Sequence, residues 1–130
     1  MTGLIGQVTT DEAPQPAGHY RQAVVFNGLV YVSGQLGRTP DGRHTSGEPF
    51  EVQARQALSN LLAIVNAAGS SRERVLKVTA YLVGGEHWPL FNQVFAEVFG
   101  EHRPARTTVP VPSLNQGYLV EIDAIAALKG

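Results

Sequence analysis

Apolar positions recur with two different periods along this chain, first every second residue and then at helical spacing. Gln22-Ala-Val-Val-Phe26 and Leu29-Val-Tyr-Val-Ser33 read as strands, and Asn27-Gly28 between them is the strongest short-range hairpin signal. A two-residue turn fixes the register, so Phe26 faces Leu29, Val24 faces Tyr31 and Gln22 faces Ser33. Carried back, the same register sets Tyr20 beside Gly34-Gln35. Pro14 and Pro16 favour an extended lead-in, and residues 1–12 read as a poorly anchored or edge segment. Thr39-Pro40-Asp41-Gly42 is a turn, after which the chain reads as irregular up to Pro49.

From about Pro49 to Ala68 the spacing of Ala54, Ala57, Leu58, Leu61, Val65 and Ala68 predicts a helix, stopped by Gly69. Val75 to Val83 reads as a strand. A second helix is predicted from Trp88 to Phe99, with Phe91, Phe95 and Val98 on one stripe and Gly100 ending it. Thr107 to Val111 is a short strand that Pro110 confines to an edge or a bulge, and Tyr118 to Leu128 is a longer one. The order ββαβαββ predicts one α+β domain over residues 1–130, a mixed sheet with two helices. Two helices cover one face only, yet apolar residues point both ways: Val24 and Phe26 against Ala23 and Val25, and Leu76 and Val78 against Tyr81 and Val83. The pattern therefore predicts that the bare face meets another copy of the chain.

Composition narrows the function classes. The chain has 130 residues, enough for a single core, and is 43% hydrophobic. Ten Lys and Arg against 11 Asp and Glu give a net charge of −1. Such a balance provides no basic field for phosphate backbones, so nucleic acid is not an expected partner. No apolar run approaches the ~20 residues that span a bilayer. The start, Met1-Thr2-Gly3-Leu4-Ile5-Gly6, lacks a charged region followed by an apolar one, which makes the cytoplasm the expected location. Without cysteine there are no disulfides, thiolate nucleophiles or Cys-ligated metals. The histidines, His19, His44, His87 and His102, show no metal-binding spacing, and no metal is expected.

Two charged features call for a partner. Alternation in the last strand puts Val120, Ile122, Ala124 and Ala126 on one face and Glu121, Asp123, Ile125 and Ala127 on the other. Carboxylates on an otherwise apolar strand need solvent, a basic partner or a task, and an intersubunit salt bridge satisfies them as well as catalysis does. Arg106 follows the stiff Pro104-Ala105 pair. Its guanidinium is either the usual bidentate grip for a carboxylate or a surface arginine lying along the sheet.

Taken in order, several short segments form a series. They are Ala13-Pro14-x-Pro16-x-Gly18-x-Tyr20-x-Gln22-Ala23-Val24, Val32-Ser33-Gly34-Gln35, Arg103-Pro104-Ala105-Arg106 and Val120-Glu121-Ile122-Asp123-Ala124. Gln56-Ala57-Leu58-x-Asn60 and Asn92 fall between them. From about Ala13 to Ala127 the chain resembles the RidA/YjgF family of small imine deaminases.

That resemblance implies a chorismate-mutase-like subunit, with the helices on one face of the sheet, in a homotrimer whose sites lie between subunits. It implies hydrolysis of reactive 2-imino acids and their enamine tautomers, such as those from 2-aminoacrylate, to 2-keto acids and ammonia, without cofactor or metal. By the same resemblance Arg106 holds the substrate carboxylate and Glu121 positions or deprotonates water. Tyr20 closes the pocket, Ser33 and Gly34 offer backbone to the imine, and Asn92 lines the cleft. Such chemistry suits these residues, since an imine carbon is already electrophilic and needs mainly positioning and water. The resemblance also allows a non-catalytic ligand-binding or holdase-like trimer, or action on a different small substrate. Three departures from the family pattern border the implied cleft: His19, Arg21 and Asn115. Arg21 is either a second anionic contact or an exposed strand-end residue.

Overall fold

Asn27 and Gly28 both adopt positive φ, 50° and 80°, the backbone that a tight hairpin of matching twist demands. A computed structural model describes residues 3–130, so Met1 and Thr2, which begin the expected edge segment, lie outside it. The Asn-Gly turn joins β2 (Ala23–Phe26) to β3 (Leu29–Gln35), with Phe26 opposite Leu29 and Val24 opposite Tyr31 as the pattern predicts. Pairing runs on beyond β2, because the Ser33 N–H donates to the Gln22 carbonyl at 2.9 Å.

The helices follow their apolar spacing closely: α1 is Phe50–Ala67 and α2 is Trp88–Phe99. Between and after them come β4 (Val75–Val83), β5 (Ala105–Val111) and β6 (Val120–Ala127); with β1 (Gly6–Val8) they complete a mixed sheet of order β1-β2-β3-β6-β4-β5. Among the described residues only β4 and β5 run parallel. Pro110 sits on the edge strand β5, where its missing N–H costs least. The other edge is a strand that alternation did not reveal, β1 (Gly6–Val8), antiparallel to β2. Gln22 ties down the chain that follows β1. Its side chain accepts from the Thr10 N–H at 2.8 Å and donates to the carbonyls of Thr10 and Pro14, each at 3.0 Å.

Both helices cover the same face of the sheet. Val30, Val78, Ala80, Leu82, Val120, Ile122 and Ala126 pack there beneath Leu58, Leu61, Ile64 and Phe91, all 0–1% exposed. Each such aliphatic or aromatic side chain contributes roughly 1.5–3 kcal/mol on burial. Strand β6 alternates as predicted: Val120, Ile122, Ala124 and Ala126 are buried, and Glu121, Asp123, Ile125 and Ala127 face the other way, half-buried. Leu76 departs from expectation. A register shift between Val75 and Lys77 turns it out of line with Val78, leaving it 48% exposed.

Two buried amides on α1 pin the irregular stretch that precedes the helix. Gln53 donates to the carbonyls of Ser46 and Glu48 and accepts from the Leu119 N–H. Asn60, 0% exposed, donates to the carbonyls of Leu36 at 3.1 Å and Arg38 at 2.7 Å and accepts from Gln56. Asn60→Ala strands these partners in the core and lowers the unfolding free energy by about 2–3 kcal/mol. Urea denaturation at matched protein concentration checks this, with Asn66→Ala on the exposed end of α1 changing it by under ~0.5 kcal/mol.

Candidate functional site

Strand β3 does not run evenly along β6. Val32 pairs with Ala124 and Gln35 with Ile122, so Ser33 and Gly34 together oppose Asp123 alone. This bulge bends the strand and frees backbone from the ladder beside Glu121. A Cβ on Gly34 would stand 2.7 Å from Glu121 Oε2 and 3.1 Å from its Cδ. Only glycine lets the carboxylate lie against the backbone here. Tyr20 lines the same cavity as Gly34 and Glu121 and is 50% exposed, although the hairpin pairing itself ends at Gln22 and Ser33. Its hydroxyl accepts from the Ala17 N–H at 3.2 Å. Ser33 precedes Gly34 in the chain but does not itself line the cavity, and its hydroxyl donates to the Arg21 carbonyl at 2.6 Å.

The cavity that Tyr20, Gly34 and Glu121 line has a volume of about 330 Å³. Burial, and then the neighbouring Asp123 charge, raise the Glu121 pKa above its ordinary value. Asp123 is raised as well, chiefly by burial, against the Tyr81 hydroxyl that donates to it at 3.2 Å. A carboxylate shifted toward neutrality in a cleft is placed to exchange protons with a substrate or water.

Arg106 and Asn92 lie elsewhere. In the parallel β4–β5 register Arg106 pairs with Val78, which puts it on the helix-covered side, whereas Glu121 pairs with Tyr81 on the open side. The Arg106 guanidinium carbon stands 4.9 Å from the centre of the Phe95 ring and 5.3 Å from that of Phe91. One Nη donates to Asn92 Oδ1 at 2.5 Å. Cation–π contact and the amide aim the fork without neutralising it. Among the described residues no carboxylate pairs with Arg106; the ion pairs involve Arg55 and Arg72. Arg106 and Asn92 line a second cavity of about 360 Å³ at the β5 edge. One chain thus splits the predicted constellation into an acidic half and a basic half.

The first cavity also contains residues that sequence reasoning missed: Arg38, His44 and Gln116. Arg38 falls just before the Thr39–Gly42 turn, His44 in the stretch read as irregular, and Gln116 in a short 3-10 turn, Asn115–Gly117. The available signal was Thr39-Pro40-Asp41-Gly42, which turns the chain back toward β3. Of the three family departures, Asn115 lines the cavity, while Arg21 and His19 are exposed and do not. Among the described residues no group of His, Asp and Glu could hold a metal ion.

Residues 10–128 match the model of the family described as Endoribonuclease L-PSP. The chain belongs to this RidA/YjgF family. A RutC family protein of Pyrococcus horikoshii is 40% identical over 119 residues, covering 92% of this chain and 94% of its own. A protein of Dermatophagoides farinae named 2-iminobutanoate/2-iminopropanoate deaminase is 36% identical over 94% of this chain and 95% of its own. The crystal structure of RidA from an Antarctic Psychrobacter superimposes with a TM-score of 0.88 at 38% identity, covering 94% and 98% of the two chains. The RidA/YjgF fold therefore accounts for the sheet and both helices together.

Proposed function

We propose that this RidA/YjgF protein hydrolyses 2-imino acids to 2-keto acids and ammonia in sites shared between neighbouring subunits of a trimer. The separation of Arg106 from Glu121 by the thickness of one sheet carries the reading. The cavity of Glu121 lacks Arg106 and Asn92, that of Arg106 contains no carboxylate, and the bare apolar face bearing Glu121 needs a cover that a second copy provides.

In such a site Arg106 grips the substrate carboxylate, steadied by Asn92. Tyr20 closes the cleft of the next subunit, and the Ser33–Gly34 backbone lies beside the imine carbon. Glu121 takes a proton from water as its oxygen bonds to that carbon, and the C=N electron pair moves to nitrogen, which is protonated. The hydroxyl proton of the carbinolamine then passes through Glu121 to the nitrogen as the C–N bond breaks, which releases ammonia and the keto acid. Positioning and proton transfer supply the rate; no cofactor or metal enters. No helix among the described residues is long and apolar enough to cross a membrane, and the cytoplasm is the proposed location. A net charge of −1 gives RNA no basic surface to follow, so nucleic acid is not the proposed substrate.

The assay that tests the reading generates an imine with an amino-acid oxidase and follows its capture by semicarbazide. The protein is expected to divert imine to keto acid and reduce adduct formation in proportion to its concentration. Adduct formation unaffected by the protein for any 2-imino acid contradicts the proposal.

A further inference from the structure

The cavity around Glu121 is larger and richer in donors than the hydrolysis of a three- or four-carbon imine requires. At about 330 Å³ it falls within the range of sites that enclose whole small-molecule ligands, ~300–1,000 Å³. Gly34 and Glu121 mark the reacting region. Beyond them stand Arg38, His44, Asn115 and Gln116, none of which has a part in the chemistry proposed above.

Arg38 is fixed rather than free. Its Nε donates to the Gly42 carbonyl at 3.0 Å, which holds the guanidinium plane, and among the described residues its terminal nitrogens have no acceptor. Gly42 has φ of +94°, and a Cβ there would stand 3.3 Å from Arg38 Nη2. The turn beneath is itself braced, because the Thr39 N–H donates to the Arg43 carbonyl and the Gly42 N–H to the Thr39 carbonyl, each at 2.8 Å. From behind, Asn60 clasps the Arg38 carbonyl at 2.7 Å. Among the described residues no ion pair includes Arg38. A guanidinium oriented by its Nε and facing a cavity with its fork unspent is a carboxylate receptor.

His44 adds a donor of fixed direction. The buried Tyr118 hydroxyl accepts from the Thr45 N–H at 3.2 Å and lies 2.8 Å from His44 Nδ1. That contact fixes the direction of the ring, which lines the cavity. Gln116 is held at φ 60° and ψ 19°, a conformation that a non-glycine residue adopts at a cost and that clusters at ligand sites.

We infer that Arg38, with His44 beside it, forms a distal anion subsite that selects 2-imino acids bearing a second carboxylate at the end of the side chain. Arg106 of one subunit takes the carboxylate next to the imine, and Arg38 takes the far one. The inference rests on the imine-hydrolase reading, and two measurements separate their fates. The first compares kcat/KM for imines made by oxidases from glutamate and from 2-aminobutyrate. Wild type favours the dicarboxylic imine, and Arg38→Gln lowers the ratio of the two kcat/KM values at least ~10-fold, through KM. The second is calorimetric binding of 2-oxoglutarate and 2-oxobutanoate, which requires no turnover. Wild type binds 2-oxoglutarate about 10-fold more tightly or better, and Arg38→Gln removes the preference. Equal binding of the two keto acids by wild type overturns the subsite, whether or not imines are hydrolysed and whether or not the variant folds. A preserved binding preference with neither imine hydrolysed overturns the hydrolase reading and leaves the subsite standing.

Discussion

Replacing Arg106 with alanine lowers kcat/KM for a 2-imino acid by about 10²–10⁴-fold while leaving the chain folded. Two charge-assisted hydrogen bonds from one guanidinium to one carboxylate are worth roughly 1.5–3 kcal/mol each, and every 1.4 kcal/mol is about tenfold. The loss divides between weaker binding and lost orientation of the imine toward water. Arg106 lies at the edge strand β5 and contacts Asn92, Phe91 and Phe95. Its removal therefore opens no hole in the core, and far-UV circular dichroism and thermal unfolding stay close to those of wild type. Arg106→Lys recovers only part of the rate, since an ammonium cannot reproduce the fork. Unaltered turnover by Arg106→Ala would remove this residue from the site.

Glu121→Gln has an effect of similar size but a different kinetic signature. The amide keeps the shape against Gly34 and cannot accept the proton, so kcat falls by about 10²–10⁴-fold with KM little changed. In wild type the base acts ionised, and activity is lost as pH falls through the Glu121 pKa. Burial first, and the Asp123 charge second, raise that pKa above the ordinary glutamate value of 4.5. The acid limb of the kcat/KM profile, which reports the free protein, is thus expected above 4.5, and Asp123→Asn, by removing the second cause, shifts it downward. An acid limb at or below 4.5 in wild type contradicts the role given to Glu121. So does a Glu121→Gln variant that is less stable yet fully active, which returns the carboxylate to an ordinary ion-pairing function.

What could be read from residues alone follows from how local each signal is. Asn27-Gly28 dictates its own turn, and from that turn the register places Tyr20 beside Gly34 without any distant contact. Strand β6 announces its two faces by strict alternation, so the orientation of Glu121 was legible. Strand β1 was not, because three residues with a single buried side chain, Val8, carry no period. Alternation puts Leu76 on the face of Val78 because it cannot anticipate the register shift between Val75 and Lys77. The most consequential gap concerned Arg106. Its side of the sheet depends on the parallel register between β4 and β5, set by packing across α2 rather than by neighbours in sequence. Arg38 and His44 went unnoticed for a related reason. Their placement comes from backbone clasped by Asn60 and from a hydroxyl supplied by Tyr118, partners 22 and 74 residues away.

The central claim is that each site takes Arg106 from one subunit and Glu121 from its neighbour, and mixing two disabled chains tests it directly. Arg106→Ala and Glu121→Gln chains, each nearly inactive, are unfolded together in equal amounts and refolded, with each variant refolded alone as the control. In a closed ring of three, every mixed trimer holds one site with both side chains intact. Random assembly should therefore restore about a quarter of the wild-type specific activity. Mixed trimers that form yet remain as inactive as the two parents would contradict the shared site.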